Sequence, residues 1–275
     1  MANEEVLCEV TENHLNTGLR GIPVGTCKTS FVTPGEGVHY CGYPIRELVD
    51  FSPEDIIYLL FHKELPNSEQ STNFREDLSA RATLPDGVEE IFKTLPRQGH
   101  PMDWLSIGIH TLGMYETTED WLDDTLNLIA RMPRLMGLIY RYREGRISNI
   151  PEDNVNGSLV ERFVDTLDLP DVDREKMVRV ISTYLVLHMD HGGGNLSTFT
   201  GKSIASGKAT VYSAIAGAMN ALSGPLHGRA NQSCLEFVLK VGTSDEAEVE
   251  AFVRKELSAG RPVFGFGHAV LSVED

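Results

Sequence analysis

Most apolar positions in this chain recur three or four residues apart, the spacing of one helix face. Ser52-Pro53-Glu54-Asp55 combines an N-cap, a proline at N1 and an acidic first turn. It predicts a helix running from Ile56 to Lys63 that stops near Pro66. Pro101 opens another, with Trp104, Leu105, Ile107 and Ile109. Residues 118–144 carry a longer pattern, expected to be interrupted at Pro133 and to end in the cations Arg141 and Arg143 and a C-cap glycine, Gly145. Residues 173–191 begin rich in Asp and turn apolar from Met177 to Met189, which predicts a helix buried in the middle of the protein. Residues 209–223 are full of small side chains, which allow close helix–helix approach. Further helices are expected after Pro225 and from about Asp245 to Ser258. A strand pattern occurs once: Ser30-Phe31-Val32 and Val38-His39-Tyr40 flank Pro34-Gly35-Glu36-Gly37 and predict a β-hairpin. Strands and helices do not alternate, so the expected class is all-α with a minor β element.

Length and charge narrow the function. The 275 residues suffice for a large core without disulfides or a structural metal. With 24 Lys and Arg against 40 Asp and Glu, the net charge of −16 argues against a nucleic-acid binder. An anionic substrate remains possible where cations cluster locally. No apolar run reaches the length of a membrane span. Cys8, Cys27, Cys41 and Cys234 contain no C-x-x-C pair, and the start Met1-Ala2-Asn3-Glu4-Glu5 is acidic. A cytoplasmic, reducing location is the expectation.

Three glycine-rich segments carry histidine. In His188-Met189-Asp190-His191-Gly192-Gly193-Gly194-Asn195, an apolar helix runs into exposed backbone N–H groups, and Asn195 can cap the next helix. His188, Asp190 and His191 could instead ligate a metal, but a third histidine at a fixed offset is absent, and a histidine pair at a helix end is the plainer reading. In Gly224-Pro225-Leu226-His227-Gly228, Pro225 at N1 would put His227 at N3. There the helix dipole disfavours imidazolium, and a neutral ring can donate to an oxygen that becomes negative. A merely capping histidine is an equal alternative. The segment Phe264-Gly265-Phe266-Gly267-His268 can approach a ligand closely. It is no dinucleotide fingerprint, because Val270 stands where a third glycine is required. Leu196 likewise breaks a phosphate loop ending at Gly201-Lys202-Ser203, and no Gly-x-Ser-x-Gly occurs.

In this order the three segments resemble the citrate synthase family, including its 2-methylcitrate relatives. Gly18-Leu19-Arg20-Gly21-Ile22-Pro23, Gly42-Tyr43-Pro44-Ile45 with Glu47-Leu48, Glu64-Leu65-Pro66 and His100-Pro101-Met102-Asp103 extend the likeness from about residue 18 to the last. Residues 1–17 are polar and read as an N-terminal arm, and the resemblance implies a large, dimer-forming helical domain (18–227) and the start of a small CoA-binding domain (228–275). It implies condensation of acetyl-CoA with oxaloacetate and thioester hydrolysis to citrate, in a homodimer of the tricarboxylic acid cycle. The alternatives are a 2-methylcitrate synthase using propionyl-CoA and a non-catalytic paralogue that only oligomerises. Carried over residue by residue, His227 steadies the enol, His268 polarises the oxaloacetate carbonyl, and His191 binds oxaloacetate. Asn195, Gly265 and Gly267 join as substrate-binding positions. No metal and no cofactor is implied beyond acetyl-CoA as substrate, and no nucleic-acid or membrane partner. Cys41 and Ser272 depart from arginines common in the family near the CoA phosphates. The family's proton-abstracting Asp and further substrate arginines would fall beyond Asp275, so the 275-residue chain alone is expected to be inactive.

Overall fold

In a computed structural model, which describes residues 6–16, 22–190, 192, 194–224 and 227–263, the hairpin forms where the alternation puts it. Strands β1 (Ser30–Thr33) and β2 (Gly37–Tyr40) pair antiparallel, with Ser30 opposite Tyr40. A short third strand, β3 (Tyr43–Pro44), folds back on β2. Its turn residues Cys41 and Gly42 both lie at positive φ, 50° and 94°. Such turns match the twist of a tight hairpin and normally take Asn or Gly at the first position.

The rest is helical. After α1 (Ile45–Leu48) comes α2 (Pro53–His62), whose cap is the expected one: Ser52 Oγ accepts the Asp55 N–H at 3.1 Å. Helix α3 (Ser68–Ala80) opens with a capping box of Asn67 and Gln70, and α4 (Gly87–Phe92) follows. Then come α5 (Pro101–Glu116) and α6 (Trp121–Glu144). Contrary to expectation, α6 runs through Pro133 without a break. An interior proline costs roughly 3 kcal/mol. Here Pro133 is itself buried, and Leu128, Ala130, Leu135, Leu138 and Ile139 bury the turns on both sides, so packing outweighs that loss.

Helix α7 (Leu159–Leu167) also starts with a capping box, Ser158 with Glu161. It is followed by α8 (Arg174–Leu187), α9 (Leu196–Ser206), α10 (Val211–Leu222), α11 (Ala230–Val241) and α12 (Glu246–Ser258). Helix α10 is central, as its small residues predict: it packs on α9 and α5 and buries Tyr212, Ala214, Ala216 and Ala218. A Cβ at Gly113 of α5 would lie 2.7 Å from Tyr212 Cβ, so only glycine admits this crossing.

Two further expectations fail. Helix α8 is not enclosed: Val186 is its buried residue, while Val180, Tyr184, Leu185 and Leu187 are exposed. Helix α11 does not start at Pro225, for Arg229 is its N-cap. Residues 227–229 form a turn in which the Gly228 N–H donates to Leu222 O at 3.0 Å. A Cβ on Gly228 would come within 2.2 Å of that oxygen, so the glycine lets the chain tuck against the end of α10 before the next helix starts.

One core joins α4, α5, α6 and α10 around Phe92, Trp104, Ile109, Leu135 and Tyr212. A second lies under the sheet, where Val38, Tyr40, Ile45, Leu48, Ile56 and Leu59 meet Val186.

Candidate active site

The second core fixes the segment after α8. Tyr40 is fully buried on β2. Its hydroxyl donates to Val186 O at 3.0 Å and accepts the Asp190 N–H at 3.3 Å. The Asp190 carboxylate accepts from the Thr29 hydroxyl on one oxygen and from the Gly192 N–H, at 2.8 Å, on the other. Gly192 has a φ of 85°, a conformation suited to glycine. The Asn195 amide donates to Gly192 O at 3.3 Å, and its Oδ1 caps α9 by accepting the Thr198 N–H at 2.9 Å. The cap read from sequence is therefore present, and the Asn195 side chain is occupied in shaping the loop.

His227 meets this loop from the other side. The Ser197 N–H, one of the orphan donors at the start of α9, donates to His227 Nε2 at 3.3 Å. A backbone N–H can only donate, which makes Nε2 the bare nitrogen and leaves the ring proton on Nδ1. The Ser197 hydroxyl has one hydrogen and two acceptors in reach, Asn195 Oδ1 at 2.8 Å and His227 Nε2 at 3.1 Å. The helix end facing His227 is thus that of α9. The expectation that it would sit at N3 of its own helix is corrected, because it precedes α11. With Nε2 accepting, Nδ1 is the nitrogen through which the ring can donate.

His188 and Asp190 face apart. His188 stacks on Tyr184, with its Nδ1 2.8 Å from Tyr184 O, whereas Asp190 is held by Thr29 and Gly192. Among the described residues no group of three or more His, Cys, Asp or Glu is placed to hold a metal. His191, Gly265, Gly267 and His268 lie outside the described residues. Thr29, Tyr40 and Ser197 were not singled out as site-building residues from sequence, and Asp190 was named there only as a candidate metal ligand. Ser197 could have been, since it lies two residues after the cap Asn195, where a helix offers an unpaired N–H. Thr29 and Tyr40 carry no local signal, because their partners lie 161 and 146 residues away.

His227 thus stands in an all-α fold between the start of α9 and the turn that precedes α11. Residues 18–275 match the family described as "Citrate synthase, C-terminal domain", and the chain belongs to the citrate synthase family. It is 32% identical over 301 residues to the mitochondrial 2-methylcitrate synthase of Yarrowia lipolytica, covering 98% of this chain and 64% of that protein. With the citrate synthase of Haloferax volcanii it shares 34% over 273 residues, covering 95% and 71%. It also resembles the crystal structure of citrate synthase from Thermotoga maritima, with a TM-score of 0.78 and 28% identity over 92% of this chain and 68% of that one. For the enzyme from Pyrobaculum aerophilum the TM-score is 0.82, with 25% identity, covering 92% and 66%. The chain thus spans less than two thirds of the length of the Yarrowia relative.

Proposed function

We propose that the protein joins the acetyl group of acetyl-CoA to the keto carbon of oxaloacetate and hydrolyses the resulting thioester to citrate and CoA. The observation that carries this reading is the Ser197 N–H on His227 Nε2, which leaves a neutral imidazole with Nδ1–H free to donate. Loss of a methyl proton from the acetyl group places negative charge on the thioester oxygen. A hydrogen bond from a fixed neutral donor strengthens as that charge grows, so it favours the transition state over the bound substrate. By resemblance, His268 polarises the oxaloacetate carbonyl, His191 holds that substrate, and Gly265 and Gly267 border CoA. Asn195 acts by shaping the loop between them.

A second reading, propionyl-CoA as the acyl donor, is favoured by the likeness to the Yarrowia protein named 2-methylcitrate synthase. Steady-state assays with acetyl-CoA and propionyl-CoA, run on a form of the protein that includes the family's proton-abstracting Asp, test both. A higher kcat/KM for acetyl-CoA supports the first reading, the reverse order supports the second, and turnover of neither would sink both.

The proposed assembly is a homodimer. Exposed apolar side chains, including Met114, Trp121, Leu122 and Met136, lie on α5 and α6. Beside them runs an open groove of about 1120 Å³, lined by Trp121, Ala214, Ile215 and Ala218 among others. Apolar surface of this kind suits a second copy, and light scattering that returned only monomer would refute it. A cytoplasmic location belongs to the same reading. The four unpaired cysteines accord with a reducing compartment, and cell fractionation tests it.

A further inference from the structure

Away from His227, two of the cysteines share one small cavity of about 210 Å³, bordered also by Lys28, Lys63 and Ser30. Both are anchored on Thr29. Cys27 Sγ lies 3.4 Å from Thr29 Oγ1, and Cys41 Sγ donates to Thr29 O at 3.5 Å. The Cys41 N–H also donates to that carbonyl, at 2.7 Å. Cys41 is held in the left-handed region at φ 50°, a conformation that costs a non-glycine residue energy and that marks functional positions more often than neutral ones. Cys27 and Cys41 lie outside the Asp190–Asn195 loop that meets His227.

We propose that Cys27 and Cys41 form a reversible dithiol–disulfide site for peroxide, in which Cys27 attacks and Cys41 resolves. The Cys27 thiolate forms a bond to one peroxide oxygen, the O–O bond breaks, and the departing hydroxide takes up the thiol's proton as water. The Cys41 sulfur then attacks the Cys27 sulfenic acid, the S–S bond forms, and a second water leaves. Two thiols and one peroxide become one disulfide and two waters.

The two thiols are unequal in the required direction. Burial pushes the Cys27 thiol up, but hydrogen bonds from the Thr29 hydroxyl, the Ser30 and Thr29 N–H groups and the Ser30 hydroxyl outweigh it and leave the thiol lowered. Burial pushes the Cys41 thiol up, the nearby Asp190 charge adds to the rise, and Lys63 only partly opposes it. The lower thiol supplies the attacking thiolate.

The site also has a path to the loop. Thr29 contacts both sulfurs, Cys27 through its hydroxyl and Cys41 through its carbonyl, and a disulfide requires the two Cβ atoms to approach to roughly 4 Å. Closing it displaces the Thr29 hydroxyl, which is the group holding Asp190, and Asp190 holds Gly192.

The test titrates hydrogen peroxide against the whole chain, blocks remaining thiols with N-ethylmaleimide, and maps unreduced peptides by mass spectrometry. The expected result is a linked Cys27–Cys41 peptide that appears before Cys8 or Cys234 is modified and that dithiothreitol reverses. In Cys41→Ser, Cys27 should accumulate a sulfenic acid trapped by dimedone. In Cys27→Ser, Cys41 should stay reduced at the same peroxide concentration. Oxidation should raise amide exchange across residues 186–198 severalfold in the natural chain but not in Thr29→Val, where the latch is already lost. Absence of the linked peptide, dimedone label on Cys8 or Cys234 in place of Cys27, or unchanged exchange after the disulfide forms would each overturn the proposal.

Discussion

Ser197 and His227 are 30 residues apart in sequence and meet through one backbone N–H and one ring nitrogen, 3.3 Å from each other. A helix start that lacks a partner for its second N–H and an imidazole that needs a fixed tautomer each satisfy the other.

The arrangement predicts how His227 variants behave in steady-state kinetics. In a form of the enzyme that includes the family's proton-abstracting Asp, His227→Ala should lower kcat by roughly 10²–10³, as for loss of an oxyanion donor, with little change in oxaloacetate KM. His191→Ala should show the reverse pattern, with oxaloacetate binding weakened first. A His227→Ala enzyme with normal kcat and a raised oxaloacetate KM would show that the roles are exchanged.

The tautomer can be read directly. Two-dimensional ¹⁵N NMR of labelled protein should show His227 with its proton on Nδ1 and a bare Nε2. Ser197→Pro removes the donating N–H at a helix position that tolerates proline, and this pattern should then be lost. Ser197→Ala keeps the N–H and should preserve it.

Packing at the centre of the fold gives a stability prediction. Gly113→Ala would place a methyl group 2.7 Å from Tyr212 Cβ, an atom next to the backbone that cannot swing aside. Urea denaturation should show a loss of about 1–3 kcal/mol, typical of overpacking. An unchanged midpoint would mean that α5 and α10 separate more freely than their close crossing implies.

Tyr212 also predicts alkaline behaviour. Burial, with the Asp124 charge adding to it, raises its hydroxyl from the ordinary 10.0 to about 12. The folded value lies above the unfolded one, so the stabilisation is complete below the unfolded value and is lost as pH rises from there through the folded value. Urea midpoints should therefore fall between about pH 10 and about pH 12. The fall should be smaller in Tyr212→Phe, which pays instead with the 2.7 Å bond from its hydroxyl to Glu116.

Much of the fold is local and therefore legible. Ser52 with Pro53, Asn195, Asp245 and Gly145 mark helix ends by side chains or backbone angles acting within one turn, and each does so in the structure. The capping boxes at Asn67 and Ser158 carry the same kind of signal and announce α3 and α7, which the hydrophobic pattern alone does not delimit. Pro133 misleads because the cost of an interior proline is local while its compensation comes from tertiary burial. The delayed start of α11 depends on Gly228 against Leu222 O, a contact invisible to periodicity. At the site, residue types point to the histidines, but the bonds around His227 and Asp190 come from residues distant in sequence, Ser197 at a helix start and Tyr40 on a β-strand.

The tie between Tyr40 and Val186 closes a loop of 146 residues. Loop closure on that scale costs roughly 4 kcal/mol by chain statistics, and the bond itself returns about 1 kcal/mol. It must therefore form after the hairpin and α8 have each been shaped by nearer contacts. During synthesis, Tyr40 leaves the ribosome long before its acceptor exists. The loop that meets His227 therefore closes late, after the segments on either side of it have taken shape.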